Sequence, residues 1–343
     1  MARGVTLAMA NPQALQKLVK DVSARLRDRR VSVAVVGDMI LDNAIEGTPG
    51  GRHSETGVPI LKEATTQESI GGAANIALAL DRLGVDVTLF GVIGSDFPGR
   101  QLQNLLDRQP FANHLVTERG WPTPHKDWIY ERQGNRVSLT QRIDYDKPLS
   151  GAAREELVGE FRARCPAGVD VVILADHGLG SIGPESLALV GLTKERKAKL
   201  VAIPRTTVLR GQALDAIVIN APEMRKLSGD EQGDPRLLAG RYAREYAQHV
   251  FLTLMEEGIL ICPAGGRSPG TLVEGYPTES FQWMGARDMA TGLAAVGLAL
   301  GLDPLDNGRL ANVFRHLVAC QRGNGRVMWR DVFQFVGLEA KNT

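Results

Sequence analysis

The chain has little excess charge of either sign, little cysteine and no long apolar run, and each shortage removes a class of function. Its 40 basic and 39 acidic side chains leave a net charge of +1. Nothing in that balance points to nucleic acid or an anionic membrane as partner, so any basic site must be local. Only 3 cysteines occur in 343 residues. Cys165, Cys262 and Cys320 stand far apart with no Cys-x-x-Cys spacing, which offers neither a zinc site nor a redox pair and makes three buried, reduced thiols the expectation. The longest apolar stretch, Gly292 to Leu302, is too short to cross a bilayer, and the amino terminus lacks a continuous apolar leader segment, so a cytoplasmic location is expected. Internal repeats and low-complexity segments are absent too.

What is present is a sequence able to bury a large core, with 43% hydrophobic residues and 23% charged ones. Leu15, Leu18, Val19, Val22 and Leu26 recur at helical spacing between Pro12 and Arg27, which predicts an amphipathic first helix. Val31 to Val36 is an apolar, β-branched run closing on Gly37-Asp38, as a strand buried on both faces requires. Similar runs at Val85–Val92, Val169–Leu174, Leu200–Ile203, Ala216–Ile219 and His249–Leu254 alternate with helical stretches. The fold class that follows is α/β, a doubly wound, mostly parallel sheet flanked by helices. We read one domain over residues 1–343. Its rhythm is interrupted near 43–68, where Gly, Pro and Thr accumulate, and near 127–143, where Gln133-Gly134-Asn135 marks a hairpin turn. Two insertions forming a small β lid account for both, and a pair of ordinary surface hairpins is the plainer alternative.

Several turns carry residues suited to chemistry. Asp38 and Asp42 follow the first strand, at the sheet end where open α/β folds bind ligands; they either hold ligand hydroxyls or cap the turn. Gly71-Gly72-Ala73-Ala74-Asn75 lets a ligand approach backbone and offers an amide, or else is a tight strand-to-helix turn. Gly91 to Gly99 is a further such turn. Met284-Gly285-Ala286-Arg287-Asp288 opens a helix, where backbone N–H groups and a carboxylate would meet a phosphoryl group.

These segments, with Arg52 to Ile60 and Gln141 to Asp146, resemble the ribokinase-like (PfkB) carbohydrate kinases, and among them the D-glycero-β-D-manno-heptose 7-phosphate kinase domain of ADP-heptose synthesis. The resemblance implies transfer of a phosphoryl group from ATP, with Mg2+, to a sugar or sugar phosphate. It implies sugar contacts from Asp38, Gly71, Gly72 and Asn75. Arg52, Glu55, Lys126, Arg142 and Asp144 would contribute from the lid and its surroundings, with Lys126 and Arg142 suited to a phosphate already on the substrate. Asp288 would be the general base beside Gly285 and Ala286. Asn220 and Glu223 match an Asn-x-x-Glu element whose carboxylate acts on magnesium through water, although Asn220 serves equally as a helix cap. Thr253 and Gly258 would line the nucleotide pocket. Relatives pair through their lids, which implies a homodimer.

Departures gather on the phosphate side. Arg287 replaces the second glycine of Gly-Ala-Gly-Asp, Gln282 an aspartate, Leu179 a lysine and Ile203 an acid of Asp-Pro-Lys, with Arg205 for its lysine. The residues from Cys320 to Trp329 lack the usual Gly-Thr pattern. Two functions therefore stand: an ATP-dependent kinase with Asp288 as base, or a repurposed kinase fold that binds a sugar phosphate.

Overall fold

An alternation of apolar strands with amphipathic helices buries both faces of a parallel sheet, and the computed structural model, which describes residues 6–8, 11–266, 269–277, 283–321 and 326–339, has this arrangement. The strands are β1 (Thr6–Ala8), β2 (Ser32–Arg52), β3 (Pro59–Gly72), β4 (Asp86–Gly94), β5 (Ala112–Glu118), β6 (His125–Gln133), β7 (Arg136–Tyr145), β8 (Val171–Asp176), β9 (Lys199–Pro204), β10 (Ala216–Asn220), β11 (His249–Thr253), β12 (Gly258–Cys262) and β13 (Thr271–Glu274). The helices are α1 (Pro12–Asp28), α2 (Ala73–Asp81), α3 (Phe97–Leu106), α4 (Gly151–Arg164), α5 (Ala188–Glu195), α6 (Ala221–Ser228), α7 (Pro235–Glu245), α8 (Ala286–Ala299), α9 (Pro304–Ala319) and α10 (Trp329–Phe335).

The main sheet has the order β1-β13-β12-β11-β10-β9-β8-β2-β4-β5. From β11 to β5 all pairings are parallel, whereas β12 runs antiparallel to both β11 and β13. This mixed edge was not foreseen. Val19, Ile76, Leu293 and Phe314 pack one face of the sheet, and Leu157, Phe161, Met224 and Tyr242 the other. Helix α1 begins where the side chain of Asn11 accepts from the Gln13 N–H and Pro12 takes the first turn. No described helix is long and apolar enough to cross a membrane. Cys165 and Cys262 are buried, but Cys320 is exposed. The expectation for that thiol fails because it falls at the C-cap of α9, on the solvent end of the helix.

Strand β2 belongs to two sheets. Ser32 to Asp38 pair in parallel with β4, and Val33 to Gly37 with β8. Beyond Met39 the same strand pairs antiparallel with β3, and from Leu41 to Gly47 in parallel with β6, which folds back on β7. Its burial changes accordingly, from continuous through Asp42 to partial in the distal half. From β2 and β8 the sheet winds outward in opposite directions, so the carboxyl ends of these two strands flank the crevice where such sheets take ligands.

Candidate active site

That crevice is a cavity of about 580 Å³, bounded by Lys126, Trp128 and Arg142 on the β6–β7 hairpin and by the turn from Trp283 to Asp288. Gly285 is the N-cap of α8 with φ 72°, a conformation that side chains with a Cβ resist, and it supplies no side-chain cap. The first-turn amides of a helix have no intrahelical acceptor, so this end of α8 offers donors and a positive dipole end to an anion.

Asp288 lies in that first turn, where its Oδ2 accepts from Asn75 Nδ2 at 2.8 Å. Burial raises its carboxyl above the ordinary range, the Asn75 bond and the charges of Arg287 and Lys126 pull it back, and Glu223 pushes it up again. His177 Nε2 stands 3.8 Å from Asp288 Oδ1. Burial, then Arg287, Lys126 and Arg205, drive the imidazole down to about 3, so it is neutral at physiological pH and makes no ion pair with Asp288. The buried Nε2 has no hydrogen-bond partner among the described residues. The segment 176–180 departs from the family pattern at Leu179, and its local sequence does not single out His177. The usable signal was a histidine directly after the aspartate that ends a central strand.

Arg287 folds back onto Glu223, its Nη1 donating to Glu223 Oε2, with both side chains largely buried at 19% and 11% exposure. Glu223 was expected to reach magnesium through water. That assignment fits this arrangement poorly, since Glu223 Oε2 is already paired with a guanidinium whose charge a divalent cation would face at close range. Asn220 caps α6, its Oδ1 accepting from the Glu223 N–H at 2.9 Å, and it also borders the cavity. Both readings of this residue are thus compatible with its place.

Other expected ligands have structural employment. Asp38 is 1% exposed and its carboxylate accepts from the backbone N–H of His177, Leu179 and Ser181 at 2.8, 3.0 and 2.7 Å. It anchors the loop after β8 and is not among the residues lining the cavity. Burial, then the neighbouring Asp176, raises its carboxyl, and the backbone bonds oppose the rise. A Cβ on Gly71 would lie 2.2 Å from Asp42 Oδ2, and one on Gly72, at φ 62°, 2.3 Å from the Asp38 carbonyl oxygen. The tight-turn reading of this pair therefore has a steric basis, while Gly72 also borders the cavity. Asp42 faces the cavity and accepts from Trp128 Nε1 at 2.8 Å. Gly258, at φ 117°, would bring a Cβ to 2.0 Å from the Val273 carbonyl oxygen. It serves the β12–β13 pairing and is not among the residues lining the cavity, although its neighbour Glu257 is.

The β2–β3 and β6–β7 hairpins bring only part of their expected set to the cavity. Lys126 is half-buried on the wall, with no hydrogen-bond or ion-pair partner for its ammonium among the described residues; burial lowers its pKa, while Asp144 and Asp42 raise it. The Arg142 guanidinium reaches the wall from above Trp128, 5.0 Å from the ring centroid, and is paired with Asp144 at 2.8 Å. Asp144 itself does not line the cavity. Arg52 and Glu55 do not either: they are exposed at the far turn between β2 and β3, where Arg52 Nη1 donates to the Gly57 carbonyl at 2.7 Å. The hairpin carries them beyond the lining of this cavity.

On the side where the nucleotide was expected, Thr253 borders the cavity and its Oγ1 donates to the Ile219 carbonyl at 3.3 Å. Two further wall residues were not foreseen. The Arg315 guanidinium lies 4.6 Å from the centroid of the Trp283 ring, and Nη2 donates to the Met255 carbonyl at 2.6 Å. Burial pulls this arginine down to about 10, with Glu256 opposing. Nothing in helical periodicity distinguishes an arginine buried against tryptophan from one in solvent. Leu179 and Ile203 are buried apolar residues that bring no charge to the site, and Gln282 lies outside the described residues.

A model of the pfkB family carbohydrate kinases matches residues 31–142. The chain is 27% identical over 289 residues to the D-beta-D-heptose 7-phosphate kinase of Bordetella bronchiseptica, with 83% of this chain and 90% of that protein covered. It is 28% identical over 302 residues to the bifunctional protein HldE of Koribacter versatilis, covering 86% of this chain and spanning only 61% of the relative's length. Among solved structures, phosphofructokinase-2 from Escherichia coli in complex with potassium superposes with a TM-score of 0.70 at 16% identity, covering 90% of this chain and 99% of that one. The likeness to the solved structure speaks for the ribokinase-like fold.

Proposed function

We propose that this chain, whose residues 31–142 match the pfkB carbohydrate kinases, transfers the terminal phosphoryl group of ATP to a hydroxyl of a sugar or sugar phosphate, with Asp288 as general base. The observation that carries this reading is the Asp288 carboxylate, held by Asn75 in the cavity at the open N-terminus of α8. Asp288 takes the proton of the acceptor hydroxyl as its oxygen bonds to the γ-phosphorus. The bond from that phosphorus to the bridging oxygen breaks and ADP leaves. The α8 amides face the charge on the transferring group. A raised carboxyl pKa suits a base, because it brings proton affinity closer to that of its task.

An acceptor that already bears a phosphate, as in the heptose 7-phosphate kinases, is supported by the Lys126 ammonium on the wall, which has no hydrogen-bond or ion-pair partner among the described residues. Lysine in such a place binds phosphate as a point charge. The full chain incubated with ATP and a panel of heptoses, hexoses and their phosphates, with and without magnesium, should release ADP in response to at least one acceptor. ADP release that answers to none of them would sink the reading.

A second reading is favoured by the Arg287–Glu223 pair and by Arg315 stacked on Trp283. A chain that has remodelled its nucleotide side could bind a sugar phosphate without transferring to it. Saturable calorimetric binding of a sugar phosphate by a chain that gives no heat with ATP would distinguish it. The same proposal extends to pairing of two copies through the lid, whose Val58 and Leu139 are 58% and 49% exposed. Light scattering should then return twice the chain mass, and a monomer at all concentrations would end that part of it.

A further inference from the structure

We propose that Arg287 stands in for a divalent cation, so that the cavity binds the polyphosphate of a nucleotide as the metal-free anion. The inference rests on the kinase reading of this cavity and deepens it. Three independent features meet at one place. The first is the N-terminus of the 14-residue α8, which has no side-chain cap and so presents unsatisfied amides and the positive end of the helix dipole. The second is His177: 8% exposed, on the wall of the same cavity, with no hydrogen-bond partner for Nε2 among the described residues. A buried ring nitrogen without a partner is costly, and a phosphoryl oxygen accepting from it removes that cost.

The third is the arginine. Its Nη1 is committed to Glu223, and the guanidinium makes no other hydrogen bond or ion pair among the described residues, although its charge acts on Asp288 and His177. The rest of the planar fork remains available for a phosphate, in the paired geometry that guanidinium and phosphate oxygens share. Glu223 fixes the fork in position, as a metal's carboxylate ligand fixes the ion. A magnesium ion entering here would face the Arg287 charge at close range and would give up water reluctantly. The guanidinium brings fixed charge without either penalty.

Titration calorimetry of the full chain with ATP, once in EDTA and once in excess magnesium, tests this directly. We expect affinities within about tenfold of each other. Arg287→Met, which keeps side-chain bulk without charge, should lose at least about tenfold in EDTA and recover part of that loss with magnesium. Arg287→Lys should fall between the two, and unchanged melting curves would establish that both variants fold. Binding by the parent chain only when magnesium is present would overturn the proposal, as would tighter binding in EDTA by Arg287→Met, or no heat with ATP in either buffer. Magnesium-dependent binding with acceptor-dependent ADP release would leave the kinase reading standing while this inference falls. Metal-free binding without transfer to any acceptor would do the reverse.

Discussion

Asp288→Asn should lower turnover by about 10²–10⁴-fold, the range by which a positioned general base accelerates a reaction, while leaving ATP affinity nearly unchanged. The amide keeps an oxygen to accept from Asn75, whose Nδ2 now donates to Asp288 at 2.8 Å. What it lacks is a site for the acceptor's proton. Stability should hold or rise, and the sign follows from linkage. Burial makes the folded-state pKa of Asp288 higher than its unfolded value. Ionised Asp288 therefore costs stability above the folded pKa, and the cost is relieved as pH falls through it. A neutral side chain carries no such cost. Activity has the opposite dependence: the base must be ionised, so kcat/KM should climb with pH through the raised pKa of Asp288 and flatten above it. Steady-state kinetics across pH, with melting of both proteins, checks all of this. A variant that keeps most of its turnover would remove Asp288 from the chemistry.

The second large effect is expected at a residue outside the cavity. Asp38→Ala should destabilise the fold by roughly 3 kcal/mol or more, because buried donors left unsatisfied cost about 1–3 kcal/mol each and Asp38 serves three of them, on His177, Leu179 and Ser181. The loop they belong to also carries the imidazole that faces Asp288, so its release should disturb the site indirectly. Asp38→Asn, which retains one acceptor oxygen, should cost less. Denaturant melts of both variants measure the effect. If Asp38 instead holds substrate, Asp38→Ala will melt like the parent and show only a raised KM, and the anchoring account will fail.

Much of the fold was legible because backbone hydrogen bonding and burial impose short-range patterns. The first helix was read at 12–27 and runs Pro12–Asp28; the strand read at 169–174 is Val171–Asp176. The hairpin around Gln133-Gly134-Asn135 occupies β6 and β7, with its turn where the glycine and asparagine stand. The mixed edge was not legible. Gly258–Cys262 is too short for any period to reveal its direction, and an apolar run reads alike in parallel and antiparallel pairing.

For the site, the division falls between residue type and residue commitment. Sequence alone determined that carboxylates, glycines and an amide cluster at strand and helix ends, that Asp288 opens a helix, and that an arginine stands beside it. Those are properties of neighbours in the chain. Only the tertiary structure decided which of these groups were already engaged. Asp38 answers to a loop 139 to 143 positions away, Arg287 to Glu223 64 positions away, and Asn75 to Asp288 across 213. Commitments of that kind depend on electrostatics and packing between distant elements, which leave no periodic trace in sequence. For that reason a motif could show the chemistry available at this site, and the fold alone could show which carboxylate anchors a loop, which pairs with an arginine and which faces the cavity.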